Sequence, residues 1–182
     1  MLNRRLRSSG QPVIITRMSN ANDKPLGGII MGSKKDWEAM KAPSAIRTEF
    51  DIGHESRAMS AHRSPELVAE YVKSAESRGL EVIIAAAGMS AALPGVAAAL
   101  TLLPVLGVPM EGKVMGGLDA LLSVAQMPGG VPVGALAVGS AGAQKSALLA
   151  LPILGHSPPE LREKLRQYYA QMAEDIRKNC EL

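Results

Sequence analysis

From Leu80 to Ala86 the chain is apolar at every position except Glu81. A run of that length without polar alternation is what a strand buried on both faces requires, and such strands belong to parallel sheets covered by helices. The remainder of the chain repeats the theme. Gly27-Gly28-Ile29-Ile30-Met31 reads as a first strand, turning at Gly32-Ser33 into a helix near Asp36 to Ala45. A more polar extended stretch from Glu55 to Ser60 precedes a helix from Pro65 to about Arg78, with Ser64 as N-cap and Pro65 at the first helical position. Pro104 to Val108 and Val131 to Val138 read as fourth and fifth strands, and helices are expected at Ala91 to Leu102, Leu118 to Gln126 and Ala143 to Leu154. Pro43 and Pro152 fall inside two of these helices, where each should begin, kink or end one. Strand and helix in this rhythm predict an α/β fold, a parallel sheet with helices on both faces.

A length of 182 residues suits one domain with short appendages. The expected division is an N-terminal extension over 1–26, an α/β body over 27–156, and a C-terminal helix within 157–182. That last helix, Pro158 to Lys178 with Ser157 as its cap, carries Leu161, Leu165, Tyr168, Met172 and Ile176 on one stripe. The stripe either packs back on its own sheet or docks on a neighbouring subunit.

The net charge of +3 comes from the extension, because Arg4, Arg5, Arg7 and Arg17 stand in residues 1–17 with no acid, leaving −1 for the rest. A nucleic-acid partner is therefore not expected, and aromatic residues at 3% offer no stacking surface for single strands. The Arg-rich extension lacks the apolar core of a secretory signal. It reads either as an organelle-targeting segment or as a disordered tail ahead of a start at Met18. No apolar run reaches the roughly 18 to 20 residues of a membrane span. The single Cys180 has no internal disulfide partner and suits a cytoplasmic setting.

In open parallel sheets ligands gather beyond the carboxyl ends of the strands. Three turns there bear chemistry. Gly32-Ser33-Lys34-Lys35-Asp36-Trp37 leads a glycine and a hydroxyl into a helix start, which favours a phosphate or carboxylate or is simply a tight turn. Its residue order excludes an ATP-type P-loop. Ser60-Ala61-His62-Arg63-Ser64-Pro65 brings together an imidazole that can move protons near neutral pH and a guanidinium suited to phosphate, or else a surface pair in a loop. Gly88-Met89-Ser90-Ala91-Ala92-Leu93-Pro94-Gly95 opens a helix of small residues that can admit a planar ligand or pack tightly. Gln126 could bond a ligand or cap its helix. His54 and His156 are expected to be surface or loop histidines, and three scattered histidines with no cysteine or carboxylate cluster give no metal site.

Gly-Ser-x-x-Asp-Trp at 32–37, Ser-Ala-His-Arg-Ser-Pro at 60–65, Leu-Pro-Gly at 93–95, Pro-Val-Leu-Gly-Val-Pro at 104–109 and Gln-Met-Pro-Gly-Gly-Val-Pro-Val-Gly at 126–134 resemble, in order and spacing, the N5-carboxyaminoimidazole ribonucleotide mutase family, the catalytic-subunit type of phosphoribosylaminoimidazole carboxylase. The resemblance spans about residues 27–155. It implies a three-layer flavodoxin-like sandwich, a homo-octamer with sites between subunits, and a step of purine biosynthesis on a small ribonucleotide. No metal, biotin or nucleotide cofactor is implied. The implied chemistry moves a carboxylate from an exocyclic nitrogen to a ring carbon of the aminoimidazole. His62 falls on the family's catalytic histidine. Gly32, Ser33, Ser60, Arg63 and Gly88 fall at substrate-contacting positions, Arg63 being suited to phosphate, and Asp36 falls where ribose hydroxyls would be bound.

The third turn departs from the family's usual Gly-Gly-Ala-Ala-His-Leu-Pro-Gly. Met89 replaces the second glycine and Ala92 the histidine. Related carboxylases that take carbon dioxide directly also lack that histidine, but typically carry lysine after the catalytic one, where this chain has Arg63. The mutase is therefore the first reading and the direct carboxylase the second. A catalytically silent flavodoxin-like module binding a phosphoribosyl ligand is the third. Flavin is disfavoured with Trp37 the only tryptophan.

Overall fold

The computed structural model describes residues 25–154 and 159–180. Five strands, β1 (Gly27–Met31), β2 (His54–Ala58), β3 (Val82–Ala87), β4 (Val105–Pro109) and β5 (Gly134–Ala135), form one sheet in the order β2-β1-β3-β4-β5. All its pairings are parallel. This is the flavodoxin-like strand order, whose direction of winding reverses between β1 and β3.

The apolar strands sort their residues by parity. In β3, Val82, Ile84 and Ala86 enter one core with Ile29 and Met31 of β1, and Ile83, Ala85 and Ala87 enter another with Ile30. The first core is closed by α1 (Trp37–Glu49), α5 (Gly139–Leu154) and the first half of α6 (Pro159–Lys178), through Met40, Leu151, Leu161 and their neighbours. The second is closed by α2 (Pro65–Lys73), α3 (Ala92–Ala98) and α4 (Leu118–Ala125), through Val68, Leu93, Val124 and others. The result is the three-layer sandwich, and none of its described helices is long and apolar enough to cross a membrane.

Several local expectations change. The fifth strand shrinks to Gly134–Ala135, extended only by the bond from Leu136 N–H to the Gly107 carbonyl. Pro132 has no N–H to give a ladder, and Val131 turns back to donate to the Pro128 carbonyl. The helix from Pro65 ends at Lys73 and resumes as a 3-10 turn over Glu76–Arg78, because the Ser74 hydroxyl bonds the Glu70 carbonyl and Gly79 closes the segment at φ 93°. Ser64 holds the N-cap position of α2 but does not cap it; its hydroxyl donates to the Ser60 carbonyl and accepts from the Ser60 N–H. Both α1 and α5 run on through Pro43 and Pro152 rather than stopping there.

His54 is a correction. Expected at the surface, it is 1% exposed on β2, with Nε2 2.7 Å from the Ser44 hydroxyl of α1 and Nδ1 3.2 Å from the Ile52 carbonyl. These two polar partners make burial tolerable on a strand that looks too polar to be covered. Next to it, the Glu55 carboxylate accepts from the Arg78 guanidinium at 2.8 Å and lies 3.6 Å from Arg57, and both arginines stack on Tyr71. Burial, with the Glu55 charge, pushes the Tyr71 phenol well up.

Leu161 and Leu165 of α6 are buried and Tyr168 meets Phe50 edge-on at 5.6 Å, whereas Met172 and Ile176 lie 45% and 69% exposed. The stripe thus packs back on its own sheet over its first half only. The expected N-terminal extension up to residue 24, His156 and the Ser157 cap lie outside the described residues. Leu26 already belongs to the fold, donating to the Gly53 carbonyl and accepting from the Glu81 N–H.

Gly142, in the first turn of α5, has the Ala137 carbonyl directly where a Cβ would stand. Because a backbone atom cannot swing away as a side chain can, Gly142→Ala should cost at least the ~1 to 3 kcal/mol typical of overpacking. Denaturant unfolding measures this, and a variant as stable as the parent would show that α5 can shift off the segment after β5.

Candidate active site

The carboxyl ends of β1, β2, β3 and β4 open into one cavity of about 600 Å³. It lies over the β1/β3 reversal, where the turns diverge to opposite faces of the sheet and leave a crevice. The seven residues that the resemblance assigns to the site all line it: Gly32, Ser33 and Asp36 from the first turn, Ser60, His62 and Arg63 from the second, and Gly88 from the third. Gln126 and His54 do not. Glu111 and Met110 line it as well. They follow β4 directly, so the same strand-end rule would have found them had it been applied to that turn.

In the first turn the Ser33 hydroxyl accepts from the Lys35 N–H at 3.2 Å while the Asp36 carboxylate accepts from the Ser33 N–H at 3.0 Å. This reciprocal box caps a 3-10 turn over Lys34–Asp36 that leads into α1. Ser33 and Asp36 are thereby held at the cavity wall by their own backbone. Burial raises the Asp36 carboxyl above its ordinary value, and the Ser33 N–H lowers it part of the way back.

The second turn is held by Ser60 and Arg63. Arg63 donates from N and Nε to the Ser60 hydroxyl at 3.3 and 3.2 Å, and from Nη2 to the Gly32 carbonyl at 3.0 Å. His62 is exposed between these anchors and lines the cavity. It is the only histidine among the described residues that line the cavity.

The third turn presents Gly88, Met89, Ser90 and Ala92 to the cavity. Met89 takes φ 58°, a left-handed conformation, and is 74% exposed. A side chain there costs roughly 1 to 2 kcal/mol against the preceding and following carbonyls, with little packing in return. Around Ala92 this wall is formed by methyl groups, a thioether and one hydroxyl. Among the described residues no group of three or more His, Cys, Asp or Glu is placed to hold a metal ion.

Two measurements check this description. Met89→Gly should stabilise the protein by about 1 kcal/mol, since glycine occupies the left-handed region without the Cβ clash; a lower melting temperature would mean that Met89 packs. Asp36→Asn tests the burial of the carboxyl. A carboxyl with a higher pKa folded than unfolded contributes stability that is complete below the unfolded value and lost as pH rises through the folded one. The wild type should therefore lose ground to Asp36→Asn from about pH 4 towards neutrality. A melting-temperature difference that stays flat or moves the other way would contradict the assignment.

Comparison with known proteins places this geometry. The AIR carboxylase family matches residues 27–175. The N5-carboxyaminoimidazole ribonucleotide mutase of Pyrococcus horikoshii is 51% identical over 159 residues, covering 87% of this chain and 89% of the relative. That of Vibrio cholerae is 48% identical over 152 residues, covering 84% and 94%. The crystal structure of Treponema denticola PurE superimposes with a TM-score of 0.77 at 26% identity, over 85% of this chain and 96% of that one. A match that runs unbroken from β1 into α6, taking in every turn of the cavity, makes this chain a member of the AIR carboxylase family.

Proposed function

We propose that this protein is an N5-carboxyaminoimidazole ribonucleotide mutase of purine biosynthesis, converting that substrate to 4-carboxy-5-aminoimidazole ribonucleotide with His62 as proton shuttle. The observation that carries the reading is the meeting of His62 and Arg63 with Ser33 and Asp36 in one cavity at the strand ends, in a chain about half identical to proteins of that name.

The reaction is an isomerisation, so its protons balance to zero. Loss of carbon dioxide from the exocyclic nitrogen leaves that nitrogen with an electron pair, which takes a proton. The ring carbon then attacks the carbon dioxide, and the new C–C bond is made permanent when that carbon loses its hydrogen. One imidazole that gives a proton and takes one back is sufficient, and among the described residues His62 is the only imidazole on the cavity wall. Arg63 suits the phosphate and the Asp36 carboxylate the ribose hydroxyls, with Gly32, Ser33, Ser60 and Gly88 completing the contacts. None of these steps calls for a cofactor.

In this reading residues 27–156 form the catalytic domain, and the helix within 157–182 contributes to a homo-octamer, which the exposed Met172 and Ile176 support. The setting is the cytoplasm, without nucleic-acid or membrane partners. Ala92 favours a second reading, direct carboxylation by carbon dioxide, because it removes the imidazole usual beside the migrating carboxylate.

Purified protein should convert the N-carboxylated ribonucleotide without added bicarbonate and with little incorporation of label from labelled bicarbonate. His62→Asn should fold normally and lose ~10² to 10⁴-fold in turnover. Full incorporation of label with no turnover of the N-carboxylated substrate would transfer the chain to the direct carboxylases, and near-normal turnover in His62→Asn would remove that residue from the mechanism.

A further inference from the structure

The turn that carries His62 and the turn that carries Ser33 and Asp36 come from different strands, and a reaction between them needs a fixed spacing. Among the described residues, one side-chain hydrogen bond joins them, from Arg63 Nη2 to the Gly32 carbonyl at 3.0 Å. The same guanidinium donates from Nε to the Ser60 hydroxyl at 3.2 Å, and the Arg63 backbone N–H donates to that hydroxyl at 3.3 Å. His62 is exposed and immediately precedes this residue.

We infer that Arg63 is a positioning residue for His62, a strap between the two turns, as well as a phosphate contact. This rests on the function proposed above. A guanidinium has five N–H donors in a rigid fork. The Gly32 carbonyl and the Ser60 hydroxyl take two, one from Nη2 and one from Nε, and three remain, two of them on Nη1. A phosphate can engage those three without releasing the strap. The position of the anion and the position of the imidazole are then set by one planar group, and binding at the phosphate end draws His62 into register. Lysine can supply the charge, but its three donors leave a single nitrogen and cannot span two acceptors and an anion in fixed directions. Misplacement of a catalytic group by about 1 Å can cost 10²-fold in rate.

Charge and strap separate in two variants of the full-length protein. Arg63→Lys should keep KM for the N-carboxylated substrate within about threefold and lower kcat tenfold or more. Ser60→Ala keeps the guanidinium charge but removes one leg of the strap, and should lower kcat by a larger factor than it raises KM. In the substrate-free protein, the backbone amides of residues 61–64 should exchange with deuterium faster in both variants than in the wild type, with melting temperatures close to the parent's. If Arg63→Lys raises KM and spares kcat, Arg63 is a phosphate ligand only and the strap is overturned, as it is if amide exchange does not change. A wild type that turns over neither substrate would defeat the proposed function instead, and the exchange measurement would still decide whether Arg63 holds the loop.

Discussion

A parallel strand with apolar side chains on both faces has to be covered on both faces, and the architecture follows from meeting that demand for β1, β3 and β4. Val82, Ile84 and Ala86 require one helical layer, and Ile83, Ala85 and Ala87 require the other. With every connection crossing from the end of one parallel strand to the start of the next, the turns that leave the carboxyl ends all emerge on one edge. The reversal of winding between β1 and β3 then opens a crevice among them. The cavity is a by-product of how the core is covered, and the reactive groups occupy it without taking part in the core.

That separation explains what could be read in the sequence. Central strands and most helices were legible because burial on both sides leaves unbroken apolar runs. The strand-end turns were legible because topology alone makes them the place to look. All seven candidate residues do line one cavity. The failures lie where specific polar partners or turns, rather than apolar pattern, decide the outcome. His54 is buried because Ser44, ten positions earlier on another element, meets its ring, and nothing adjacent to His54 announces that. The extent of β5 was misjudged because apolar residues flank it while Pro132 and the turn at Pro128–Val131 remove its ladder. Ser64 stands at the right position, but its hydroxyl accepts from the Ser60 N–H behind it rather than from the first-turn amides of α2, a choice between local donors that sequence pattern does not resolve.

The site is unevenly built. Its first two turns are rigid by hydrogen bonding: the Ser33–Asp36 box in one, the Ser60–Ser64 pair and Arg63 in the other. The third is held mainly by backbone, through the Met110 N–H on the Ala87 carbonyl at 2.8 Å, and tolerates a methionine at positive φ. Met89 and Ala92 both lie on this third wall, whose groups are held by fewer side-chain hydrogen bonds than those of the other two turns.

The two margins of the sheet have a bearing on how the chain survives its own synthesis. Three short strands of nearly pure aliphatic sequence would pair readily with copies of themselves if exposed. One margin is β2, whose register against β1 is flanked by Glu55, Arg57 and Arg78, a charged fringe that a second sheet would have to desolvate. The other is β5, only two residues long, with Pro132 two positions before its start. Neither offers an incoming strand a long uncharged template, so the aggregation-prone centre is fenced by edges that do not propagate.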